Sequence, residues 1–153
     1  NPDIFKYINK DVEILNISAL EIPSKFNNKI DIVFMSNFLE HLNSKDEVLN
    51  TLERAHKLLR NHGKILILQP NIDLVKENYW NFIDHKIALN EKSVVEALEI
   101  TGFKIERVVR KFLPYTTKNT ILFLYPPLIK LYLQIPSIFR IFAGQSFFCA
   151  YKK

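Results

Sequence analysis

Two short stretches of the sequence carry the side chains that could do chemistry. Glu40 and His41 come soon after an apolar run, in the stretch SNFLEH. Asp84 and His85 follow several aromatic residues, in the stretch NYWNFIDH. An imidazole titrates near neutral pH, so His41 is a candidate catalytic base or a group that orients a substrate. Asp84 and His85 offer only two metal ligands and no third at a suitable spacing, so no metal site is predicted.

The aromatic stretch and its surroundings also suggest a binding surface for a second molecule. Aromatic rings next to Asp and His can line a substrate pocket, or they can pack onto a sheet as an ordinary loop. Both interpretations stay open from the sequence. The candidate substrate-binding residues are Glu40, Tyr79, Trp80, Asp84, His85 and Tyr115.

The elements that would position these residues alternate between strands and helices. Strands are predicted over 12–18, 30–36, 64–70, 104–113 and 145–153. The second of these, IDIVFMS, is almost continuously apolar, which is typical of a strand covered on both faces in a parallel sheet. The alternation favours an α/β domain with a mainly parallel sheet. Ligands bind beyond the carboxyl ends of such strands, so the stretches ISALEIP, SNFLEH and QPNID, which lie at the ends of the first three strands, should meet at one edge of the sheet.

Two helices are predicted between these strands. Ser44 is a suitable N-cap for the first, with Glu47 as its capping-box partner, and Gly63 is expected to end it. Asn90 is expected to open the second helix and Gly102 to close it. Both segments carry apolar residues at helical spacing.

Length and composition restrict the classes of protein. The 153 residues suit one domain, and the single cysteine, Cys149, excludes an intramolecular disulfide and fits a reducing, cytoplasmic compartment. The formal net charge is +5, but the lysines are scattered along the chain. A nucleic-acid partner is therefore not expected.

A highly apolar segment at 120–142 stands apart from the rest. Lys130, Arg140 and three prolines interrupt it, which argues against a membrane-spanning helix. It predicts a helix pair packed on the sheet edge, or an interfacial hairpin or substrate lid with peripheral membrane contact. We place this insertion at 116–144, between the last two strands.

The combination of these stretches resembles the class I S-adenosylmethionine-dependent methyltransferases. The residues that carry the resemblance are DIVFMSNFLEHL, LLRNHGKILILQPN, the segment from NYWNF to ITGFKIERV, and QSFFCAYKK. They cover most of 11–113 and the last nine residues. The resemblance implies a Rossmann-like, mainly parallel sheet whose last strand is antiparallel.

The resemblance also implies a cofactor, an acceptor and a site. S-adenosylmethionine would place its adenine by Ser18 and Ala19, and its methionine portion by Ser36, Asn37 and Phe38. The acceptor, a small or lipid-linked molecule, would lie under the loop at 79–85, with the apolar segment as its cover.

One part of the family pattern has no counterpart in the sequence. The family has a glycine-rich turn after its first strand, whereas Gly63, Gly102 and Gly144 are far apart. Asn1, Pro2 and Asp3 resemble the residues after the second strand. We therefore expect 1–153 to be the C-terminal part of one catalytic domain, incomplete at its N-terminus, which binds cofactor weakly or not at all by itself.

This expectation has a structural consequence and leaves other functions open. The strand at 30–36 would have an open edge, which has to be covered or could pair two copies as a homodimer. A non-catalytic, methyltransferase-like interaction module is the main alternative. Another α/β enzyme, such as a nucleotide-dependent reductase, is the second. The sequence has no Asn/Asp-Pro-Pro-aromatic motif of base-modifying methyltransferases.

Overall fold

The computed structural model describes residues 11–115 and 126–153. Strands and helices alternate along this part of the chain. The strands are β1 (Ile30–Ser36), β2 (Leu59–Pro70), β3 (Phe103–Pro114) and β4 (Ala143–Lys152). The helices are α1 (Lys45–Leu58), α2 (Ile72–Val75), α3 (Glu91–Ile100) and α4 (Pro126–Gln134). Short 3-10 turns cover Ala19–Glu21, Ser24–Phe26, Leu39–His41, Lys76–Asn81 and Ser137–Phe139.

The four strands form one sheet in the order β1-β2-β4-β3. β1 and β2 run parallel, with Met35 opposite Ile67. β4 lies between β2 and β3 and is antiparallel to both, so Phe148 is opposite Ile67 on one side and Val108 on the other. This topology confirms the predicted α/β fold with an antiparallel last strand.

The hydrophobic core lies between one face of the sheet and helices α1 and α3. Val33 and Met35 of β1 pack against this core. Ile32 and Phe34 point to the opposite face and are 56% and 61% exposed. The prediction that this strand is covered on both faces is therefore wrong for the described residues, because α1 and α3 pack on the same side.

Helix α1 begins where the sequence predicts, but it ends earlier. The Ser44 hydroxyl accepts a hydrogen bond from Glu47 N at 3.1 Å. The Glu47 carboxylate bonds Asn43 N at 2.8 Å instead of closing a capping box on Ser44. The helix ends at Leu58 and the chain continues directly into β2.

Gly63 consequently lies inside β2, and the prediction that it ends a helix is wrong. A Cβ there would lie 2.9 Å from Arg60 O and 3.1 Å from Ile30 O. The glycine therefore allows the backbone of β1 to approach β2 closely. The second predicted helix is confirmed, because Asn90 caps α3 and Gly102, with a φ of 91°, follows its end.

The predicted strand over 12–18 is not formed. Residues 12–17 have no regular secondary structure, and Val12 and Ile17 are largely exposed. A strand requires a hydrogen-bonded neighbour, and in the described part of the chain β1 pairs with β2 alone. The outer edge of β1 is open there, as expected, and dimerisation through it stays a prediction.

The apolar segment is described from residue 126 onward, and 116–125 lie outside the described residues, as do Asn1, Pro2 and Asp3. Helix α4 and the turn Ser137–Phe139 are held by Arg140, which is only 7% exposed. Its guanidinium donates to Leu133 O at 2.7 Å and Ile135 O at 2.9 Å. It also donates to the carbonyls of Lys111 and Phe112 on β3, at 3.1 and 3.4 Å. No helix in the described ranges is long and apolar enough to cross a membrane.

Replacing Arg140 by alanine should lower the free energy of unfolding by about 3 kcal/mol, because four backbone carbonyls lose a charged donor. Urea unfolding followed by circular dichroism measures this loss. The matched control is Arg107→Ala on β3, whose side chain is exposed and should cost less than about 0.5 kcal/mol. Equal stabilities of the two variants would contradict the role assigned to Arg140.

Candidate functional site

The carboxyl end of β1 turns sharply at Asn37. This residue has a φ of 46°, a left-handed conformation that asparagine tolerates better than most residues. Asn37 N donates to Leu68 O of β2 at 2.9 Å, and Gln145 Nε2 of β4 donates to Asn37 Oδ1 at 3.1 Å. Asn37 is thus bonded to β2, the neighbour of β1, and to β4, the next strand of the sheet.

The turn after Asn37 places Glu40 inside the protein. Leu39 enters the hydrophobic core, and the side chain of Glu40 is 0% exposed. Glu40 Oε2 accepts a hydrogen bond from Gln69 Nε2 at 3.0 Å. Among the described residues, Glu40 Oε1 has no hydrogen-bond partner, and neither does Gln69 Oε1. Burying a carboxylate with an unsatisfied oxygen lowers the stability of the folded protein. Such destabilising groups are common at functional sites.

The backbone of Glu40 joins this turn to the loop that carries Asp84 and His85. Its carbonyl oxygen accepts hydrogen bonds from Lys86 N at 2.8 Å and from Ile87 N at 3.2 Å. The two sequence stretches that carry candidate chemistry are therefore brought together by these backbone hydrogen bonds.

His41 is oriented by the same loop. Its Nδ1 lies 3.0 Å from Asp84 O and 3.4 Å from Asp84 Oδ2. A carbonyl oxygen only accepts, so Nδ1 carries the hydrogen in this bond. The other ring nitrogen, Nε2, lies 3.7 Å from Glu40 Oε1.

The aromatic residues of the loop combine the two roles that the sequence leaves open. Tyr79 is fully buried and donates to Ile87 O at 2.8 Å, so it packs the loop. The ring of His85 lies 4.8 Å from that of Tyr79 and is stacked on Phe82 at 5.3 Å, and its Nδ1 is buried without a hydrogen-bond partner. Trp80 is half exposed and remains accessible to a ligand.

A cleft of about 420 Å³ opens beside this loop. Tyr115 lies on one wall, and its hydroxyl donates to the carbonyls of Asn78 and Tyr79 at 3.3 and 3.4 Å. Phe82 lines the same cleft, and so do Ile141 and Phe142 at the end of the apolar segment. Its size falls within the range of small-molecule sites.

Gly144 allows Tyr115 to approach the backbone beside the cleft. A Cβ at this position would lie 2.5 Å from Tyr115 Cβ and 2.6 Å from Val75 Cγ1, which is closer than real atoms pack. Any larger residue at this position would therefore displace the wall of the cleft.

Both tyrosines are hydrogen-bond donors and poor bases. Burial raises the pKa of Tyr79 far above its ordinary value, and the nearby Glu40 carboxylate adds to the effect. Burial raises the pKa of Tyr115 to about 12, with further contributions from Glu40 and Asp84. Both phenols therefore stay protonated at neutral pH.

The predicted cofactor residues lie in two places. Ser36 is exposed at the carboxyl end of β1, followed by Asn37, while Phe38 is half-buried against the core. Ser18 caps the turn Ala19–Glu21. The loop that follows this turn is tied to α1, because Arg54 Nη2 donates to Ile22 O at 2.6 Å and its Nη1 to Asn27 Oδ1 at 2.7 Å.

Four polar residues belong to the site but are not among those predicted from the sequence. Gln69 contacts Glu40, and Gln145 contacts Asn37. Asn71 Nδ2 donates to Ser146 Oγ at 2.9 Å, and both side chains are buried. Gln69 and Asn71 belong to the stretch QPNID, which the sequence does place at this sheet edge, although neither residue is among the predicted site residues.

Solved structures have the same arrangement of strands and helices. A SAM-dependent methyltransferase from Archaeoglobus fulgidus matches 100% of this chain over 73% of its own, at 20% identity and a TM-score of 0.63. The fold is that of the S-adenosylmethionine-dependent methyltransferases. A second methyltransferase, from Thermotoga maritima, matches 93% of this chain over 65% of its own, at 12% identity and a TM-score of 0.66.

The methyltransferase fold does not by itself determine the reaction. The cyclase SpnF matches 99% of this chain over 59% of its own, at 12% identity and a TM-score of 0.62. No protein-family model and no curated protein matches the sequence. The reaction must therefore be argued from the residues at the edge of the methyltransferase fold.

The raised pKa of Tyr115 predicts a pH dependence of stability. In the unfolded chain this phenol ionises near pH 10.0, whereas in the folded protein it does so near pH 12. Its contribution is therefore complete below about pH 10 and is lost as the pH rises towards about 12. Between about pH 10 and about pH 12, the free energy of unfolding measured with urea should fall less in Tyr115→Phe than in the unmodified protein. The half-buried Tyr151→Phe on β4 is the control, and identical pH profiles for all three proteins would contradict the prediction.

Proposed function

We propose that the protein transfers a methyl group from S-adenosylmethionine to a small-molecule or lipid-linked acceptor. The observation that carries this proposal is the position of Glu40 and His41, directly after β1 in a sheet with the methyltransferase fold. Ligands of open α/β sheets bind at this edge. The buried carboxylate of Glu40 and the oriented imidazole of His41 could both take part in a reaction at that edge. A loop with a purely structural role would need neither group.

The cofactor would bind along the end of β1. Ser36 and Asn37 offer polar groups for its methionine portion, and Phe38 offers an apolar surface. Ser18 and Ala19 would flank the adenine. The supporting observation is that Ser36 and Asn37 are exposed where β1 ends, so their side chains are accessible to a ligand.

The acceptor would occupy the cleft beside Tyr115 and Phe82. The cleft combines aromatic and aliphatic walls with the amide groups of Asn78 and Asn81, so it suits a molecule with an apolar body and a few polar groups. Trp80, Asp84 and His85 lie on the adjoining loop and would contact the acceptor from that side. Glu40 would contact the acceptor from the buried side of the same site.

Methyl transfer from a sulfonium needs an aligned acceptor and, for a protonated nucleophile, a proton acceptor. The carbonyl of Asp84 holds His41 Nδ1–H, which leaves Nε2 to receive the proton. Glu40 Oε1, at 3.7 Å from Nε2, would stabilise the imidazolium that forms. The alternative of a non-catalytic interaction module is not favoured by any observation in the described ranges.

His41→Asn should lower the turnover number by about 10²–10⁴-fold, because it removes the proton acceptor. The same variant should leave the Kd of S-adenosylmethionine within about twofold of the original. Calorimetry measures cofactor binding, and release of S-adenosylhomocysteine with a panel of hydroxylated and aminated acceptors measures turnover. The measurements use the protein as its gene encodes it.

His62→Asn is the matched control for this experiment, because His62 is an exposed residue of β2 with no part in the site. It should change neither quantity. Absence of S-adenosylmethionine binding in the unmodified protein would overturn the proposed function. Unchanged turnover in His41→Asn would overturn only the role of His41.

The apolar surface of the segment at 120–142 supports a lipid-linked acceptor. Ile138, Phe139, Ile141 and Phe142 are each at least 68% exposed, and the last two also line the cleft. Lys111 lies beside them, with its Nζ 3.3 Å from Ile138 O, and exposed apolar residues beside a basic one suit the surface of an anionic membrane. We infer that this segment brings the cleft to a lipid surface.

The double substitution Ile138→Ser and Phe139→Ser should reduce co-sedimentation with phosphatidylglycerol vesicles at least fivefold, since it removes two large apolar groups from the surface. The control is Ile100→Ser on α3, where an isoleucine is also exposed. Vesicle binding that is absent from the unmodified protein, or equal in all three proteins, would exclude this role of the segment.

A further inference from the structure

Three side chains at the site lie close enough together to bind one metal ion. Glu40, His41 and His85 each place one potential metal ligand within 4.8 Å of the other two. The residues come from two separate stretches of sequence, which the hydrogen bonds from Lys86 N and Ile87 N to Glu40 O hold together. The set consists of two imidazoles and one carboxylate.

Two of the three side chains have a buried polar atom that lacks a hydrogen-bond partner. Glu40 is fully buried, and its Oε1 is unsatisfied. His85 Nδ1 is also buried and unsatisfied. Leaving such atoms unpaired costs about 1–3 kcal/mol each, and more for a charged group. A cation between them would remove this cost.

The orientation of His41 strengthens the case. Because Nδ1 donates to Asp84 O, the neutral ring presents the lone pair of Nε2 towards Glu40 Oε1, 3.7 Å away. A lone pair that faces a carboxylate oxygen is unfavourable unless a cation lies between them. That cation is either a proton on Nε2 or a metal ion.

The groups around the three side chains have the pattern found around metal ligands. A ligating histidine usually donates its second N–H to a carbonyl or carboxylate, as His41 does to Asp84 O. A ligating carboxylate is usually hydrogen-bonded through its other oxygen, as Glu40 Oε2 is to Gln69 Nε2 at 3.0 Å. Both contacts orient the side chains before any ion binds.

We propose that Glu40, His41 and His85 bind a divalent transition-metal ion, with Zn²⁺ or Co²⁺ preferred over Mg²⁺ and Ca²⁺. Imidazole nitrogens select for Zn²⁺ and its neighbours, whereas Mg²⁺ and Ca²⁺ prefer sites made only of oxygen. With metal–ligand bonds of about 2.0–2.2 Å, the ion would draw the three atoms somewhat closer together. Three protein ligands leave a coordination position open for another molecule.

The open position would adjoin the proposed acceptor cleft. His85 stacks on Phe82 and lies 6.5 Å from the ring of Tyr115, and both of these residues line the cleft.

This extension rests on the proposed methyl transfer and assigns the acceptor to the hydroxyl-bearing compounds. The acceptor hydroxyl would bind the ion and release its proton to water. Its oxygen would then bond the methyl carbon as the carbon–sulfur bond breaks, and S-adenosylhomocysteine would leave. His41 is then a ligand of the ion, and the ion takes over the activation of the hydroxyl.

The test is calorimetric titration of the metal-free protein, without an affinity tag, with Zn²⁺ and with Mg²⁺. We expect one Zn²⁺ per chain and at least tenfold weaker binding of Mg²⁺. His85→Asn should weaken Zn²⁺ binding at least tenfold, and the exposed His62→Asn should leave it unchanged. The visible absorption of bound Co²⁺ should show nitrogen and oxygen ligation in the unmodified protein and be lost in His85→Asn.

Glu40→Gln provides a second variant, and circular dichroism shows whether each variant is folded. Zn²⁺ binding that is absent, or equal in the unmodified protein and folded His85→Asn, would overturn the metal site. The two proposals fail separately. Metal binding without S-adenosylmethionine binding would overturn methyl transfer alone, and turnover that persists after chelation would overturn the role of the ion in the reaction.

Discussion

Glu40 is fully buried where three segments of the chain meet, and the rest of the site depends on that burial. Its carboxylate is bonded to Gln69 at the end of β2, and its carbonyl holds the loop of Asp84 and His85. A charged group in an apolar interior is tolerated only when hydrogen bonds or another charge compensate it. The loop is held through the backbone carbonyl of the same residue whose carboxylate is buried.

The same burial explains the character of the neighbouring residues. Tyr79 and Tyr115 lie close enough to Glu40 for its charge to raise their pKa values, in addition to the effect of their own burial. Both remain donors, which satisfy the loop carbonyls of Asn78, Tyr79 and Ile87. The loop is thus held by hydrogen bonds near Glu40 and leaves its exposed members, such as Trp80, available to a ligand.

The sheet positions these residues, but most of the side chains that could react lie outside it. The fold resembles that of methyltransferases and of the cyclase SpnF, so it is compatible with more than one reaction. The distinctive features lie in the turn after β1, the loop at 79–87 and the segment anchored by Arg140. All three follow strands or connect them, where substitutions alter a ligand site without disturbing the core.

The sequence by itself determined the elements whose signals are local. The apolar runs of β1 to β4, the caps Ser44 and Asn90 and the glycine after α3 are all read within a few residues, and the structure confirms them.

Local signals failed where the outcome depends on a distant partner. Residues 12–18 have the composition of a strand but no neighbour to pair with, and Gly63 meets the backbone of β1 instead of ending a helix. The tertiary structure alone decided that His85 joins Glu40 and His41, because ligands from separate stretches have no characteristic spacing along the chain. Their proximity results from hydrogen bonds across the sheet edge, which no pattern in either stretch encodes.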